Sequence, residues 1–166
     1  SIFSVVRYGN VAGSRGSVIP FFLKEKEKGS LPITDPRMTR FWITLEQGVG
    51  FVLDRLEHMV GGELFVPKLP SMNIMDLAKV IAPECKTEII GIRPGEKLHE
   101  LMITKDDARR TLEFKSYYMI QPEFHYWKRR HNTKNGKPVE EDFEYSSGTN
   151  PWNLTIAEMK KIVASL

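Results

Sequence analysis

Apolar positions along this chain switch between the spacing of strands and that of helices, and the switches mark its elements. Residues 3–8 have the β-branched and aromatic content of a buried strand. From Ser17 the apolar positions take helical spacing to about residue 28, and Gly29-Ser30-Leu31-Pro32 breaks the pattern. A short strand pair is expected at 31–34 and 40–43. Leu45, Val49, Val52, Leu53 and Leu56 recur at helical spacing over 44–59, and Gly61-Gly62 ends that helix. Residues 63–66 read as a strand, and 73–82 as a helix capped by Asn73 with Asp76 at its third position. A further apolar run covers 87–92, and a helix is expected at 96–102. Short strands at 111–114 and 117–120 precede an amphipathic helix over 155–164 whose face carries Ile156, Met159, Ile162 and Val163. Strands alternating with helices predict α/β architecture with a parallel sheet. No internal repeat is visible.

Composition narrows the class. The 166 residues are 41% hydrophobic and 27% charged, as in a soluble globular domain. The net charge of +3 is mild and its basic residues are interleaved with acids, which argues against a nucleic-acid partner. The run from Lys128 to Lys137 reads as a solvated loop around the turn at Asn135-Gly136. No apolar stretch is long enough to span a membrane, and no leader peptide is visible. Cys85 is the single cysteine, so an internal disulfide is excluded and a reducing, cytoplasmic setting is expected. His58, His99, His125 and His131 have no metal-ligand spacing. The chain opens on Ser1-Ile2 and enters directly a strand that needs neighbours on both sides, so a fragment of a longer protein is expected.

Two segments carry candidate chemistry. Arg93-Pro94-Gly95-Glu96-Lys97-Leu98-His99-Glu100 follows the apolar run 87–92. Arginine presents a planar fork of donors suited to phosphate oxygens, and a carboxylate three residues on can accept from vicinal sugar hydroxyls. Together they suit the diphosphate and ribose of a nucleotide. The alternative is a strand-to-helix connection whose Arg93 and Glu96 face water. Nearer the start, Gly9, Gly13 and Gly16 form a glycine-rich loop leading into the helix that begins near Ser17, with Arg15 beside it. A loop feeding a helix N-terminus leaves free amides and a positive dipole end, which suits an anion.

These segments resemble the C-terminal half of extended short-chain dehydrogenase/reductase enzymes that modify nucleotide sugars. Among these, the resemblance is to the family of inverting UDP-N-acetylglucosamine 4,6-dehydratases of pseudaminic acid synthesis. Four stretches carry it: Arg7 to Pro20, Ile33 to Trp42, Ile90 to Glu100, and Phe143 to Trp152. The arginine-Pro-Gly-acid element belongs to the whole superfamily, and the last stretch to the narrower family. The resemblance implies a Rossmann-like doubly wound parallel sheet, of which this chain is the C-terminal portion, plus a small mixed α/β substrate-binding domain. Residues 1–16 would end the dinucleotide-binding domain, 17–60 would be a substrate-binding segment, 61–82 would return to the sheet, and 83–166 would form the C-terminal substrate-binding domain. It also implies that Asn10 contacts the substrate and that Arg15 and the amides of Gly16, Ser17 and Val18 face the diphosphate. Arg40 and Arg93 would clamp the phosphates, with Glu96 on the ribose. Asn10 could instead satisfy backbone in a turn, and Arg40, beside Phe41 and Trp42, could be a stacked surface arginine.

The implied reaction is a redox-neutral elimination. NADP takes a hydride from sugar C4, the ketone acidifies C5, water leaves C6, and the hydride returns to C6 as C5 is reprotonated on the opposite face. The family's machinery for this is not in these residues. The glycine-rich cofactor turn is absent, and Gly48-Val49-Gly50 falls inside a predicted helix. None of the five tyrosines is followed four places on by lysine. The resemblance therefore implies a UDP-sugar substrate, NADP bound mainly by a preceding half, no catalytic group in these 166 residues, and a homo-oligomer when complete. Competing expectations are a UDP-sugar epimerase or reductase of the same superfamily, a non-catalytic UDP-sugar binding module, and a structural α/β piece.

Overall fold

The computed structural model describes residues 1–124 and 133–166. In chain order its elements are β1 (Val5–Val6), β2 (Asn10–Val11), α1 (Val18–Glu25), β3 (Ser30–Ile33), β4 (Thr39–Ile43), α2 (Leu45–His58), β5 (Leu64–Pro67), β6 (Ser71–Asn73), α3 (Ile74–Ile81), β7 (Lys86–Ile89), β8 (Leu101–Ile103), α4 (Lys105–Ala108), β9 (Thr111–Glu113), β10 (Tyr117–Ile120), β11 (Lys137–Pro138), β12 (Tyr145–Ser146) and α5 (Ile156–Ala164). One turn of 3-10 helix, Lys26–Lys28, extends α1. The chain is α/β, and its residues gather into two compact units, each built from three stretches of sequence. The first holds 1–8, 46–68 and 101–145; the second holds 9–45, 69–100 and 146–166.

The first unit centres on a five-stranded sheet in the order β1-β5-β10-β9-β11. β1 runs parallel to β5, with Val6 opposite Phe65, and the other neighbours are antiparallel. Phe65, Leu112 and Met119 form its buried centre. Helix α2 packs on this sheet through Phe51 and Arg55. The Arg55 guanidinium lies 4.1 Å from the centre of the Tyr117 ring, a cation–π contact that uses the side chain's flat face. The helically spaced apolar positions Leu45, Val49, Val52, Leu53 and Leu56 are exposed on α2. The strand expected to be buried at 3–8 is also open, with Phe3 76% exposed.

The second unit contains three short parallel or antiparallel ladders. β2 runs parallel to β4, with Asn10 opposite Trp42, and β4 runs antiparallel to β6. β3 runs parallel to β7. Segments 31–34 and 40–43 are both strands, but they pair with these partners and not with each other. Helices α1, α3 and α5 close over the ladders, and Ile19, Phe22, Leu31, Ile33, Leu77 and Met159 are fully buried between them. Asn73 caps α3, its Oδ1 accepting from the Met75 amide at 2.7 Å. Thr155 and Glu158 form a reciprocal capping box on α5.

The helix expected over 96–102 is absent. Arg93 to Glu96 closes a tight turn, and residues 101–103 continue as β8. Of the basic loop, residues 128–132 lie outside the described residues, and the turn expected at Asn135-Gly136 is present, the Gly136 amide donating to the Thr133 carbonyl at 3.0 Å. Among the described residues no helix is long and apolar enough to cross a membrane, and no cluster of acids, histidines or cysteine could hold a metal ion.

Gly9 sets the approach of β2 to β4. A Cβ placed there would stand 2.6 Å from Phe41 Cβ and 2.7 Å from the Phe41 carbonyl oxygen. The second neighbour is backbone and cannot rotate away. Gly9→Ala is expected to cost about 1–3 kcal/mol through this overpacking. Urea unfolding of the complete protein checks it, and an unchanged midpoint would mean that the strands can separate without cost.

Candidate functional site

The arginine motif owes its shape to two residues. Pro94 presets φ at the second position of the turn, and Gly95 takes φ +85° at the third. The Glu96 amide donates to the Arg93 carbonyl at 3.0 Å, which closes a turn of the type II pattern. Glu96 Oε2 accepts from the Arg93 amide at 3.1 Å, so the carboxylate folds back over the turn. The Arg93 guanidinium has no ion-pair partner among the described residues. It is a free, exposed donor fork held on a tight turn.

Opposite this turn stands the start of α1. Gly16 has φ +74°, and Ser17 occupies the N-cap in extended conformation. The Ser17 hydroxyl does not cap the helix, and its oxygen is buried with no hydrogen-bond partner among the described residues. The Ser17 amide, expected to face an anion, instead donates to the Ser14 carbonyl at 3.0 Å, and Pro20 has no N–H, so the orphan donors at the start of α1 are the Val18 and Ile19 amides.

A cavity of about 520 Å³ within the second unit unites these features. Gly16, Ser17 and Val18 line it from α1, Arg40 from β4, and Arg93 and Glu96 from the motif turn. Six of the eight residues singled out from the sequence thus share one concave space, although they span eighty positions of the chain. Arg15 is exposed and does not line it. Asn10 does not line it either, and faces Glu100. Its side-chain nitrogen donates to Glu100 Oε1 at 2.8 Å and Oε2 at 3.1 Å, the amide orientation that satisfies both groups.

Arg40 is not a stacked surface arginine. Nη1 donates to the carbonyls of Thr39 at 2.7 Å and Leu98 at 3.2 Å, and Nη2 donates to that of Lys97 at 2.9 Å. Burial pulls its pKa down from the ordinary guanidinium value, and Glu100 and then Glu96 oppose that fall. The remaining donors of this fork are those available to a ligand. His99 is held in a chain of contacts, with Nδ1 2.8 Å from Thr39 Oγ1, which in turn lies 2.8 Å from Ser147 Oγ. Sequence reasoning missed the apolar wall of the cavity, formed by Phe21, Met38, Ile74 and Ile90. The helical spacing of α1 carried a signal for Phe21, four positions beyond Ser17 and so on the same face.

Together these are the features of a binding pocket for an anionic, partly apolar ligand: convergent cations and amides beside an apolar wall. The chain belongs to the family of polysaccharide biosynthesis proteins, which matches residues 1–122. More particularly, it is 51% identical, over 97% of its length, to a protein of Campylobacter jejuni subsp. jejuni serotype O:2 named UDP-N-acetylglucosamine 4,6-dehydratase (inverting), covering 51% of that protein. It is 40% identical over 72% of its length to a UDP-glucose 4-epimerase of Rickettsia canadensis, covering 37% of that enzyme. The X-ray structure of Pen from Bacillus thuringiensis superimposes with a TM-score of 0.84 at 31% identity, covering 99% of this chain and 50% of that one. The chain spans about half the length of the curated dehydratases it matches.

Proposed function

We propose that this chain supplies the nucleotide-sugar-holding part of an NADP-dependent UDP-N-acetylglucosamine 4,6-dehydratase that inverts C5. The observation that carries this reading is the meeting of Arg93, Glu96, Arg40 and the α1 N-terminus around one cavity. In it, Arg93 pairs with the diphosphate through charge-assisted bonds, and Arg40 adds a second cation. The amides at the start of α1 and the unpartnered Ser17 hydroxyl complete the phosphate's hydrogen bonds. Glu96 accepts from the ribose hydroxyls, and the sugar reaches beyond the cavity to meet Asn10.

The described residues do not fit the dinucleotide. Gly48 and Gly50 lie in the interior of α2 and not on a strand-to-helix turn, and Gly9 is filled by Phe41. This chain's contribution is therefore to bind and orient the nucleotide sugar.

A second reading, a UDP-sugar epimerase or reductase, is favoured by the similarity to enzymes named UDP-glucose 4-epimerase. Incubating the complete protein with UDP-N-acetylglucosamine and NADP separates the two by mass spectrometry. Loss of one water from the sugar nucleotide is the expected result. An isomer of unchanged mass would favour the epimerase, binding without turnover the non-catalytic module, and neither binding nor turnover would overturn the nucleotide-sugar reading.

A further inference from the structure

Glu100 does not line the cavity, yet it joins two of the residues read as substrate contacts. Its Oε2 accepts from the Phe41 amide of β4 at 3.0 Å. The Asn10 side chain of β2 donates to both of its oxygens, and Oε1 stands 3.9 Å from Arg40 Nε. The backbone that carries it is fixed from the other side. The Glu100 amide donates to Ser147 Oγ at 2.9 Å, and its carbonyl accepts from the Ser147 amide at 2.8 Å.

An ionised carboxylate only accepts, whereas the asparagine amide can present either its oxygen or its nitrogen. With Glu100 ionised, the Asn10 nitrogen must turn toward it and the Asn10 oxygen must turn away. The Arg40 fork is fixed in the same manner. Three carbonyls hold its Nη atoms, and Glu100 faces the remaining Nε edge. We infer that Glu100 is a positioning residue that sets Asn10 to present its oxygen, and Arg40 its remaining donors, to the bound nucleotide sugar. The inference rests on the nucleotide-sugar reading of the cavity. It adds that the ligand group met by Asn10 is a hydrogen-bond donor, a sugar hydroxyl or an amide N–H.

Charge is what the device depends on. Burial pushes the Glu100 carboxyl above the ordinary carboxylate range, against the Phe41 amide and the cations Arg40 and Lys97. Those two cations are the charged groups facing it, from β4 and from its own segment, and β2 faces it with the uncharged Asn10. Protonation gives Glu100 a donor, which frees the Asn10 amide to reverse and removes the counter-charge from Arg40.

The test compares dissociation constants for UDP-N-acetylglucosamine, a diphosphate diester without a proton to lose near neutral pH, in the complete protein and its variants. Glu100→Gln is expected to weaken binding on the order of tenfold at neutral pH, with little change in the unfolding midpoint, because a neutral amide removes a buried charge. Wild-type affinity should fall on acidification as Glu100 takes up its proton, and Glu100→Gln should lose that dependence. In an Arg40→Ala background the Glu100→Gln effect should shrink, as expected of coupled residues. Should Glu100→Gln not fold, Glu100→Asp is expected to bind more weakly while keeping the pH dependence, and wild-type affinity in that variant would overturn the inference. Wild-type affinity and pH profile in Glu100→Gln, with Arg93→Ala binding weakly, would overturn the positioning role alone. Full affinity in Arg93→Ala would instead remove the nucleotide-sugar site on which it rests.

Discussion

Arg93→Ala in the complete protein should weaken UDP-N-acetylglucosamine binding by about 2–4 kcal/mol, roughly 30- to 1000-fold in dissociation constant, and leave NADP affinity nearly unchanged. The size follows from what the side chain does in the free protein. Arg93 has no ion pair among the described residues to give up, so its interaction with a diphosphate is a net gain. Arg40 differs, because three of its N–H groups already serve backbone carbonyls. Its removal would loosen the 97–98 segment as well as the ligand, so Arg93 gives the cleaner readout. The turn itself should survive, since Pro94, Gly95 and the Glu96 backbone define it. Calorimetric titration with the sugar nucleotide, and separately with NADP, checks the expectation. Equal losses for both ligands would mean that the arginine supports the fold and not the pocket.

The meeting of these residues was legible in the sequence to the extent that local chemistry dictates it. The Pro-Gly pair demands a tight turn, a glycine followed by Ser17 marks a helix start, and a family resemblance ties both to a diphosphate. Arg40 was legible as a candidate, but its environment was not. Two of its three carbonyl partners come from a segment 57 and 58 positions away and the third from its neighbour Thr39, and no local pattern encodes the distant pair. The helix expected at 96–102 failed for a related reason. The carbonyls of Lys97, Leu98 and Glu100 and the Glu100 amide bond to Arg40, Thr39 and Ser147 instead of to an i to i+4 ladder, so tertiary partners displaced the local preference. Glu100 escaped notice because a lone glutamate in such a segment reads as solvent-facing until its three partners are seen. The stripe on α2 marks a different limit. Its period predicted a helix correctly, but periodicity states which residues share a face and not which face is covered.

Stability should depend most sharply on a group that the sequence did not flag. Glu63 is 2% exposed, and its oxygens accept from the Val60 amide at 2.7 Å, the Gly61 amide at 2.7 Å and Ser4 Oγ at 2.6 Å. The backbone repeats the link, with the Val5 amide donating to the Glu63 carbonyl at 2.9 Å and the Gly62 amide to the Phe3 carbonyl at 2.7 Å. One carboxylate thereby joins the turn after α2 to the segment that enters β1. Glu63→Leu would leave two amides and a hydroxyl without their acceptor, at an expected cost of about 3–5 kcal/mol. Glu63→Gln keeps one acceptor oxygen and should lose less. Burial pushes the Glu63 carboxyl up, but the hydrogen bonds from Ser4, Val60 and Gly61 outweigh it and hold its pKa below the ordinary carboxylate value. In the unfolded chain the group binds its proton more readily, so its contribution is present above the ordinary carboxylate pKa of about 4.3 and is lost as pH falls through the folded value. Urea unfolding of the complete protein at neutral pH and at a pH below the ordinary carboxylate value of about 4.3 should show wild type losing stability on acidification more steeply than Glu63→Leu. A neutral-pH loss below about 1 kcal/mol, the worth of a single ordinary hydrogen bond, would mean that water replaces the carboxylate in the turn and that β1 is held by its ladder with β5 alone.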